Sequence, residues 1–371
     1  MPNKVTIYRA TLGKKSETFI PNQAKHLTQY APNMVGYRCE DEHSLGKRLL
    51  NIEHGILNAS KFEFAKNMLG STPLQMKQYL EKINPNLIHA HFGPDGTQMI
   101  SASKSMDIPL VTTLHGFEVF CSPTSFKTPQ WGSYHLKKRA LAKHAKVILC
   151  VSDFLYKAAK NTGTYKNSNL VKHHIGVNYK LLNSKYDSNL ESDQICFVGR
   201  LAKKKGIKDF VEVISKLRED GYKNPVKIIG DGPDSDLVKT LVKQYSDISW
   251  LGSQEHEVVL KTLNESCLAV LPSQTALNGD SESLGLVFPE AITMNCAPIG
   301  YNHGGVSEVT PTEFLVTEGS TFELYKKTKK YLNNSEEKDN IVKMGKKHIQ
   351  VNFNLPTQTK LLEEIYDYAT N

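Results

Sequence analysis

The sequence predicts an α/β protein built from two doubly wound parallel-sheet domains. Short apolar runs rich in β-branched residues alternate with helix-like segments along most of the chain, which is typical of βαβ units. A polar stretch, NSKYDSNLESD at 183–193, interrupts this alternation and is the best linker candidate. The length of 371 residues also suits two domains, at about 150 residues each. We therefore expect domains at 1–183 and 184–356, followed by a helical segment.

The secondary structure elements of each half follow from the same alternation. In the first half, strands are expected at 4–10, 33–39, 87–92, 109–116, 146–152 and 169–177, with helices at 17–30, 74–83, 96–106, 132–144 and 153–160. In the second half, strands are expected at 194–200, 226–232, 248–252, 267–273 and 297–303, with helices at 205–220, 234–245, 255–265, 287–295, 321–332, 336–350 and 357–369. Residues 41–70 are compatible with a helix but show no clear boundaries. Because ligands bind beyond the carboxyl ends of such strands, two facing domains would form a binding cleft.

Composition excludes several classes of protein. Hydrophobic residues make up 39% and charged residues 23% of the chain, which is ordinary for a globular protein and argues against long disorder. No window approaches the roughly 18 apolar residues of a membrane span, and the first residues lack the apolar core of a secretory signal. The six cysteines are scattered and form no metal-binding pair, so we interpret them as reduced thiols of a cytosolic protein.

The charge is distributed unevenly along the chain. Residues 1–183 carry 24 basic and 11 acidic side chains, a formal charge of +13, whereas residues 184–371 carry 22 and 27, a charge of −5. A nucleic acid, an anionic membrane surface and a merely uneven solvated surface are the alternatives. The basic segment 134–148, with Trp131 just upstream, favours a membrane surface, and no nucleic-acid-binding motif accompanies the charge.

The segment NGDSESLGLVFPEAI at 278–292 combines two carboxylates with a helix start. Pro289 is tolerated in the first turn of a helix, so the helix is expected to begin near Leu286, with Glu282 in the preceding loop and Glu290 in the first turn. The backbone N–H groups from about Ser283 to Val287 would then form an anion site, and the two carboxylates suit sugar hydroxyl groups. The alternative is a solvated loop acid and a first-turn glutamate favoured by the helix dipole.

The segment FVGRLAKKKG at 197–206 places basic side chains where a predicted strand ends. Arg200 and Lys205 at the carboxyl end of that strand suit a diphosphate, the arginine through its planar fork and the lysine as a point charge. The alternative is a solvated basic loop, which we prefer for Lys203 and Lys204.

Together these segments resemble the retaining glycosyltransferases of family 4, which have the GT-B fold of two Rossmann-like domains facing across a cleft. Further matching segments are distributed over almost the whole chain. A subset of them is similar to the family members that synthesise bacterial exopolysaccharide, capsule and O-antigen. The matching segments are SETFI (16–20), HAHFG (89–93), TLHGFE (113–118), VGRLAKKKG (198–206), GDGP (230–233), PSQTALNGDSESLGLVFPEA (272–291) and GGVSE (304–308).

The resemblance implies a role for each matching position. Glu282 would lie near the donor sugar, Glu290 would bind the ribose of the nucleotide, and His115 would lie near the transferred sugar and the acceptor. The other implied donor-binding positions are the diphosphate cations Arg200 and Lys205, the loop glycine Gly13, and the amides of Ser283, Leu284, Gly285 and Leu286. The resemblance also implies that the C-terminal helix, 357–371, packs back on the N-terminal domain.

Three positions depart from the family pattern. The loop around Gly13 reads ATLGKKS where the family often has two adjacent glycines, and the usual HGxD reads HGFE, with Glu118 in place of the aspartate. The segment 175–178 reads IGVN where the family commonly ends in Asp.

Other polar pairs have simpler explanations: His89 and His91 share one strand face without a third zinc ligand, and the D-x-D at 234–236 suits capping and the first turn of a helix. The resemblance implies no essential metal and no cofactor.

The sequence thus predicts transfer of one sugar, with retention, from a nucleotide sugar bound by the C-terminal domain to an acceptor on the N-terminal domain. A UDP-sugar is the favoured donor, with GDP-mannose left open, and the favoured acceptor is a lipid-linked or free saccharide at the inner face of the membrane. The protein would then be cytoplasmic and peripheral. The alternatives are a sugar-nucleotide epimerase of similar fold, a non-catalytic nucleotide-sugar-binding subunit and a nucleic-acid-binding protein.

Overall fold

A computed structural model describes residues 2–40, 53–56, 73–121, 129–179, 192–223 and 225–371. The chain divides into two compact units, the first formed by Met1–Gly176 with Leu355–Asn371 and the second by Val177–Asn354. The division thus lies seven residues before the expected boundary at 183/184. Most of the expected linker, 183–193, falls outside the described residues.

The first unit is built on a parallel sheet of seven strands. Its strands, with a separate pair formed by β2 and β4, are β1 (Asn3–Tyr8), β2 (Thr11–Leu12), β3 (Tyr30–Gly36), β4 (Arg38–Cys39), β5 (Glu53–Ile56), β6 (Leu87–His91), β7 (Leu110–Leu114), β8 (Val147–Cys150) and β9 (Leu170–Lys172). The order is β5-β3-β1-β6-β7-β8-β9, and every pair is parallel. The helices are α1 (Phe19–Lys25), α2 (Leu74–Ile83), α3 (Gly93–Met106), α4 (Phe117–Phe120), α5 (Pro129–His144), α6 (Asp153–Asn161) and, near the C-terminus, α14 (Leu355–Thr370).

The second unit is built on a parallel sheet of six strands. These are β10 (Ile195–Val198), β11 (Val226–Ile229), β12 (Ile248–Trp250), β13 (Leu268–Leu271), β14 (Ala297–Tyr301) and β15 (Leu315–Val316), in the order β12-β11-β10-β13-β14-β15. The helices are α7 (Ile207–Glu219), α8 (Ser235–Gln244), α9 (His256–Asn264), α10 (Val287–Thr293), α11 (Val306–Val309), α12 (Thr321–Asn333) and α13 (Ser335–Asn352).

The cores explain why the apolar runs predicted strands. Parallel strands are covered by helices on both faces, so they are apolar throughout rather than alternating, and all five residues of β6 and of β7 are buried. The covering helices are amphipathic. In α7 the buried positions recur at helical spacing, as Ile207, Phe210, Val213, Ile214 and Leu217.

The structure corrects the prediction for residues 17–39. The expected helix at 17–30 is shorter, because α1 ends at Lys25, and β3 already begins at Tyr30. The cause lies far along the chain, where the buried carboxylate of Glu363 accepts the N–H groups of Thr28 at 2.5 Å and Gln29 at 2.6 Å. These amides therefore cannot continue the hydrogen bonding of a helix. Part of the segment read as compatible with a helix, 53–56, forms strand β5, while 41–52 and 57–72 lie outside the described residues.

Helix α14 supplies polar partners to the core of the first unit. The hydroxyl of Tyr366 lies 2.6 Å from Nδ1 of His89, and Asp367 accepts from the hydroxyl of Tyr30 at 2.7 Å. Leu362 and Tyr366 are buried in the same apolar cluster as strands β1 and β6. The sheet of the first unit is thus covered by a helix from the far end of the sequence.

The predictions about membrane-spanning segments and about the cysteines can be compared with the structure. Among the described residues, no helix has the length and apolar character needed to span a membrane. All six cysteines are free thiols, and five of them are buried, whereas Cys39 is only partly buried. Burial raises the pKa of Cys150 and Cys267 to about 12, so these thiols are unreactive core residues.

Candidate functional site

The loops at the carboxyl ends of β10 and β13 bring Lys205 to Glu282 in the second unit. Strand β10 ends at Val198, and a short turn over Lys203–Lys205 precedes α7. Gly206 closes that turn with a φ of +68°, and a Cβ at this position would lie 1.8 Å from the carbonyl oxygen of Pro272. Only glycine allows this approach, which places the Nζ of Lys205 in an ion pair with Oε1 of Glu282.

The ion pair keeps Glu282 charged although its side chain is only 12% exposed. Burial by itself would raise the pKa of this carboxyl. The charge and the hydrogen bond of Lys205, with smaller effects of Lys204 and His303, instead lower the pKa to about 2. Glu282 is therefore an ionised acceptor at neutral pH, available to hydroxyl groups and unsuited to donating a proton.

A second layer of polar contacts fixes the backbone around Glu282. Lys204 pairs with Asp280 at 2.8 Å, and the Oγ of Ser281 lies 2.7 Å from Nδ1 of His303. The N–H of Gly305 donates to the carbonyl oxygen of Glu282 at 2.8 Å. Lys204, expected to be a solvated base, is thus a structural partner of this loop, which corrects the sequence-based interpretation.

Helix α10 begins one residue after the predicted position, at Val287, and carries Glu290 in its first turn. Oε1 of Glu290 lies 2.8 Å from Nε2 of His256, the first residue of α9. In the part of the chain that the structure describes, the amides of 283–287 donate to no protein group. The side chains of Ser283 and Leu284 are buried, so these positions offer their backbone rather than their side chains.

Arg200 differs from Lys205 in its surroundings. Its side chain is exposed, and it forms no ion pair with any described residue. The structure therefore brings Lys205 and Glu282 together and leaves Arg200 available.

In the first unit, a buried arginine organises the carboxyl end of β1. Arg9 donates to Asp95 at 2.7 Å and, through two nitrogens, to Glu17 at 2.8 and 2.9 Å. Its guanidinium also lies 4.3 Å from the ring centre of Phe92, which has a φ of +71°. Gly13, which has a φ of +74°, lies in the loop between Arg9 and Glu17. The ion pair of Arg9 with Glu17 therefore fixes both ends of that loop.

His115 lies in the loop after β7, packed among aromatic rings. Its Nε2 is 3.2 Å from Nδ1 of His91, and its ring centre is 4.2 Å from that of Phe92 and 5.0 Å from that of Phe19. Burial and the nearby charge of Arg9 lower the pKa of His115 to about 3. The imidazole is therefore neutral at pH 7 and can either donate or accept a hydrogen bond.

Glu118, at the family's aspartate position, holds the His115 loop from within. Its carboxylate accepts the N–H groups of Gly116 at 2.8 Å, His115 at 3.0 Å and Gly93 at 3.2 Å. The side chain is buried, so the carboxylate binds backbone rather than solvent.

The other polar pairs have structural explanations. His89 and His91 share a face, as predicted, with ring centres 4.4 Å apart, and His89 is bonded to Thr113 and Tyr366. Within the described ranges no group of three His, Cys, Asp or Glu side chains could hold a metal. The D-x-D opens helix α8 as predicted, with Asp234 at the N-cap and Asp236 in the first turn, but the side chain of Asp234 makes no capping hydrogen bond.

Two family models match the chain. The model described as "Glycosyltransferase Family 4" matches residues 26–179, and the one described as "Glycosyl transferases group 1" matches residues 180–348. The chain belongs to glycosyltransferase family 4.

Individual relatives of this family 4 chain are described as glycosyltransferases of polysaccharide biosynthesis. The "putative teichuronic acid biosynthesis glycosyltransferase TuaC" of Bacillus subtilis is 32% identical over 250 residues, 63% of this chain and 57% of that protein. The "putative colanic acid biosynthesis glycosyltransferase WcaL" of Escherichia coli is 23% identical over 279 residues, 71% of this chain and 66% of that protein. The family 4 chain thus matches under two thirds of the length of either relative.

Solved structures confirm the predicted GT-B fold of this family 4 chain. Anabaena HepE, in complex with UDP and glucose, has a TM-score of 0.76 at 17% identity, covering 99% of this chain and 100% of that one. Sucrose-phosphate synthase from Thermosynechococcus elongatus also has a TM-score of 0.76 at 17% identity, covering 99% and 98%. At this level of identity the likeness concerns the fold alone.

Sequence reasoning missed several groups around the candidate site of the family 4 chain. Arg9 carried a signal, since a charged residue directly follows a buried strand. His303 carried one too, as a histidine directly before the GG of GGVSE. His256 and Asp280 had no comparable signal, because their partners Glu290 and Lys204 lie 34 and 76 positions away.

Proposed function

We propose that this family 4 chain transfers one sugar from a nucleotide-sugar donor to a saccharide acceptor during synthesis of a bacterial surface polysaccharide. The names of TuaC and WcaL support a role in polysaccharide synthesis. Membership of the family supports transfer of a sugar as the reaction. The observation that carries the proposal is the ion pair of Lys205 with Glu282, which holds an ionised acceptor beside the unbonded amides of 283–287.

The second unit would bind the donor. Lys205 and the exposed Arg200 would neutralise the diphosphate, and the amides of Ser283, Leu284, Gly285 and Leu286 would donate to its oxygens. Glu290 would accept from the ribose, using the carboxylate that His256 orients at 2.8 Å. Gly13, in the first unit, would allow a backbone approach to the diphosphate. HepE, which has been solved in complex with UDP and with UDP-glucose, supports a UDP-sugar as the donor.

The proposed chemistry is retaining and proceeds at the front face of the sugar. The bond from the anomeric carbon to the diphosphate oxygen breaks, and a bond from that carbon to the acceptor oxygen forms. The acceptor's proton passes to the leaving diphosphate oxygen, whose developing charge Arg200, Lys205 and the loop amides stabilise. Because these groups supply the positive charge, we propose that no metal or cofactor is required. Glu282 and the neutral His115 would position the sugar.

The first unit would bind the acceptor, and we propose that this is a lipid-linked saccharide at the inner face of the membrane. Helix α5 supports this part of the proposal, since its Leu136 is 85% exposed beside basic side chains, among them Arg139 and Lys143. Trp131 on the same helix packs against the partly exposed Phe117 at 4.7 Å. Aromatic and aliphatic groups flanked by cations suit an anionic bilayer surface.

A thermal-shift assay in the presence of a chelator tests the donor site. The ligands are UDP, UDP-glucose, UDP-galactose, UDP-N-acetylglucosamine, GDP and GDP-mannose. A ligand that binds only the folded state raises the melting temperature once it exceeds its dissociation constant. We expect a rise with one nucleotide class, its loss in Arg200→Ala, and its persistence in the matched control Lys203→Ala. No rise with any of these nucleotides would contradict the proposal.

A transfer assay with the donor so identified tests catalysis, and co-sedimentation with anionic vesicles tests the membrane. Glu282→Ala and Arg200→Ala should abolish transfer while leaving the protein folded, and wild-type rates in either variant would contradict the assigned roles. Absence of any preference for anionic over neutral vesicles at low salt would contradict the membrane contact.

A further inference from the structure

His303 has a buried ring nitrogen that lacks a hydrogen-bond partner. The residue follows β14 by two positions and is 6% exposed. Its Nδ1 lies 2.7 Å from Oγ of Ser281, whereas its Nε2 is buried and has no partner among the described residues. Buried polar groups are rarely left unpaired, because losing water without gaining a partner destabilises the protein. The unpaired nitrogen therefore points to a group brought by a ligand.

The loop that carries His303 is fixed against the main chain of Glu282. Gly304 has a φ of +57°, and a Cβ there would lie 2.2 Å from the carbonyl oxygen of Glu282 and 2.7 Å from Oγ of Ser281. The adjacent N–H of Gly305 donates to the same carbonyl oxygen at 2.8 Å. His303 is thus held in the candidate donor site, where the charges that act on it include those of Glu282 and Lys205.

A chain of hydroxyl groups fixes which nitrogen of His303 carries the proton. An ionised carboxylate only accepts, so the hydroxyl of Thr275 donates to Glu318 at 3.2 Å. Oγ1 of Thr275 then accepts from the hydroxyl of Ser281 at 3.2 Å. Since Ser281 has used its single hydrogen, its oxygen accepts from Nδ1–H of His303. Burial lowers the pKa of His303, so the ring is neutral and Nε2 bears a lone pair.

We propose that Nε2 of His303 accepts a hydrogen bond from a hydroxyl group of the donor's sugar, which makes His303 a specificity-determining contact. This inference rests on the proposed function and names a further contact in that site. A diphosphate oxygen cannot fill the role, because at neutral pH it has no hydrogen to donate. The ribose hydroxyls and the N–H groups of the base could also donate. However, the ribose is assigned to Glu290, whereas the His303 loop is fixed against the main chain of Glu282, which is assigned to the sugar. We therefore assign the contact to the sugar rather than to the nucleotide that carries it.

The tautomer can be measured without any ligand. Nitrogen NMR of the full-length protein labelled at histidine should show His303 protonated on Nδ1, assigned by its loss in His303→Asn. In Thr275→Val the hydroxyl chain is interrupted, and we expect the signal to move towards a mixture of the two tautomers. A wild-type His303 protonated on Nε2 would overturn the inference.

Binding by calorimetry separates the sugar contact from the nucleotide contacts. The probes are UDP with UDP-glucose and UDP-galactose, and GDP with GDP-mannose. In His303→Asn the amide can still meet Ser281 but cannot reach the position of Nε2. We expect its affinity for the free nucleotide to stay within about twofold and its affinity for the nucleotide sugar to fall about tenfold. His303→Gln extends an amide oxygen towards the Nε2 position and should restore part of that loss.

The outcomes distinguish failure of this inference from failure of the proposed function. Equal weakening of nucleotide and nucleotide sugar in His303→Asn, or no weakening of either, would overturn the sugar contact while the donor site stands. A wild-type protein that binds none of these nucleotide sugars would overturn the proposed function and this contact together.

Discussion

The carboxylate of Glu118 accepts the backbone N–H of His115 at 3.0 Å, so a side chain from the short helix α4 holds the main chain of a loop residue three positions earlier. The same carboxylate also binds the N–H groups of Gly116 and Gly93. It thereby joins the end of β7 to the start of α3, and it sets the position from which the imidazole of His115 projects.

Replacing Glu118 with glutamine should loosen this loop. The glutamine amide has one acceptor oxygen for three N–H groups, and its NH2 would face at least one of them. We expect a loss of roughly 1–3 kcal/mol in the free energy of unfolding, measured by urea denaturation, together with slower transfer. Wild-type stability in Glu118→Gln would show that the three hydrogen bonds contribute little to the loop.

Alanine at Gly206 should be strongly destabilising. The residue has a φ of +68°, and the new Cβ would lie 1.8 Å from the carbonyl oxygen of Pro272. The backbone strain alone costs about 1–3 kcal/mol, and the clash adds to it. The matched control is Gly163→Ala, where a Cβ meets nothing within 4 Å. Comparable melting temperatures for the two variants would contradict the close approach of these loops.

The Lys205–Glu282 pair should appear as coupling in a double-mutant cycle. Lys205→Met leaves the largely buried Glu282 carboxylate without its cation, so this variant should be less stable than wild type. Adding Glu282→Gln removes the isolated charge and should recover part of the loss, with a coupling energy of roughly 0.5–3 kcal/mol in urea denaturation. Additive effects of the two substitutions would mean that the pair does not stabilise the folded chain.

Stability should fall as the pH drops from about 6.5 to about 4. Burial lowers the pKa of His115 to about 3 and that of His173 to about 4. In this pH range the two histidines take up protons in the unfolded chain but stay neutral in the folded chain. The stability that is present above pH 6.5 is therefore lost as the pH falls. Each such histidine contributes up to about 1.4 kcal/mol per pH unit.

Urea denaturation at pH 7, 6 and 5 measures this dependence. His115→Asn should reduce the slope of the unfolding free energy against pH by up to about 1.4 kcal/mol per pH unit. An unchanged slope would contradict an imidazole of His115 that stays neutral in the folded chain. Glu282 affects the stability of the protein at lower pH. Lys205 outweighs the effect of burial and lowers the pKa of Glu282 to about 2, below its ordinary value of 4.5, so its stabilisation is present above pH 4.5 and lost below it.

The sequence was sufficient for the elements whose pattern is local. The apolar runs predicted the central strands of both sheets, and Pro289 located the start of α10 to within one residue. Contacts between distant residues were not predictable. The early end of α1 depends on Glu363, more than 330 positions away from Thr28 and Gln29. The role of Lys204 likewise depends on its ion pair with the distant Asp280. Nothing in the local sequence KKK shows that Lys204, rather than one of its two neighbours, is the partner of that carboxylate.

Helix α14 has a consequence for the order in which the protein is made. A ribosome synthesises the sheet of the first unit early, yet Tyr366 and Glu363, which cover His89 and bind Thr28, emerge only after the entire second unit. The nascent first unit therefore spends most of translation with part of its apolar sheet uncovered. Apolar surface that is uncovered during folding promotes aggregation, whereas the whole second unit, Val177–Asn354, has been made before α14 emerges.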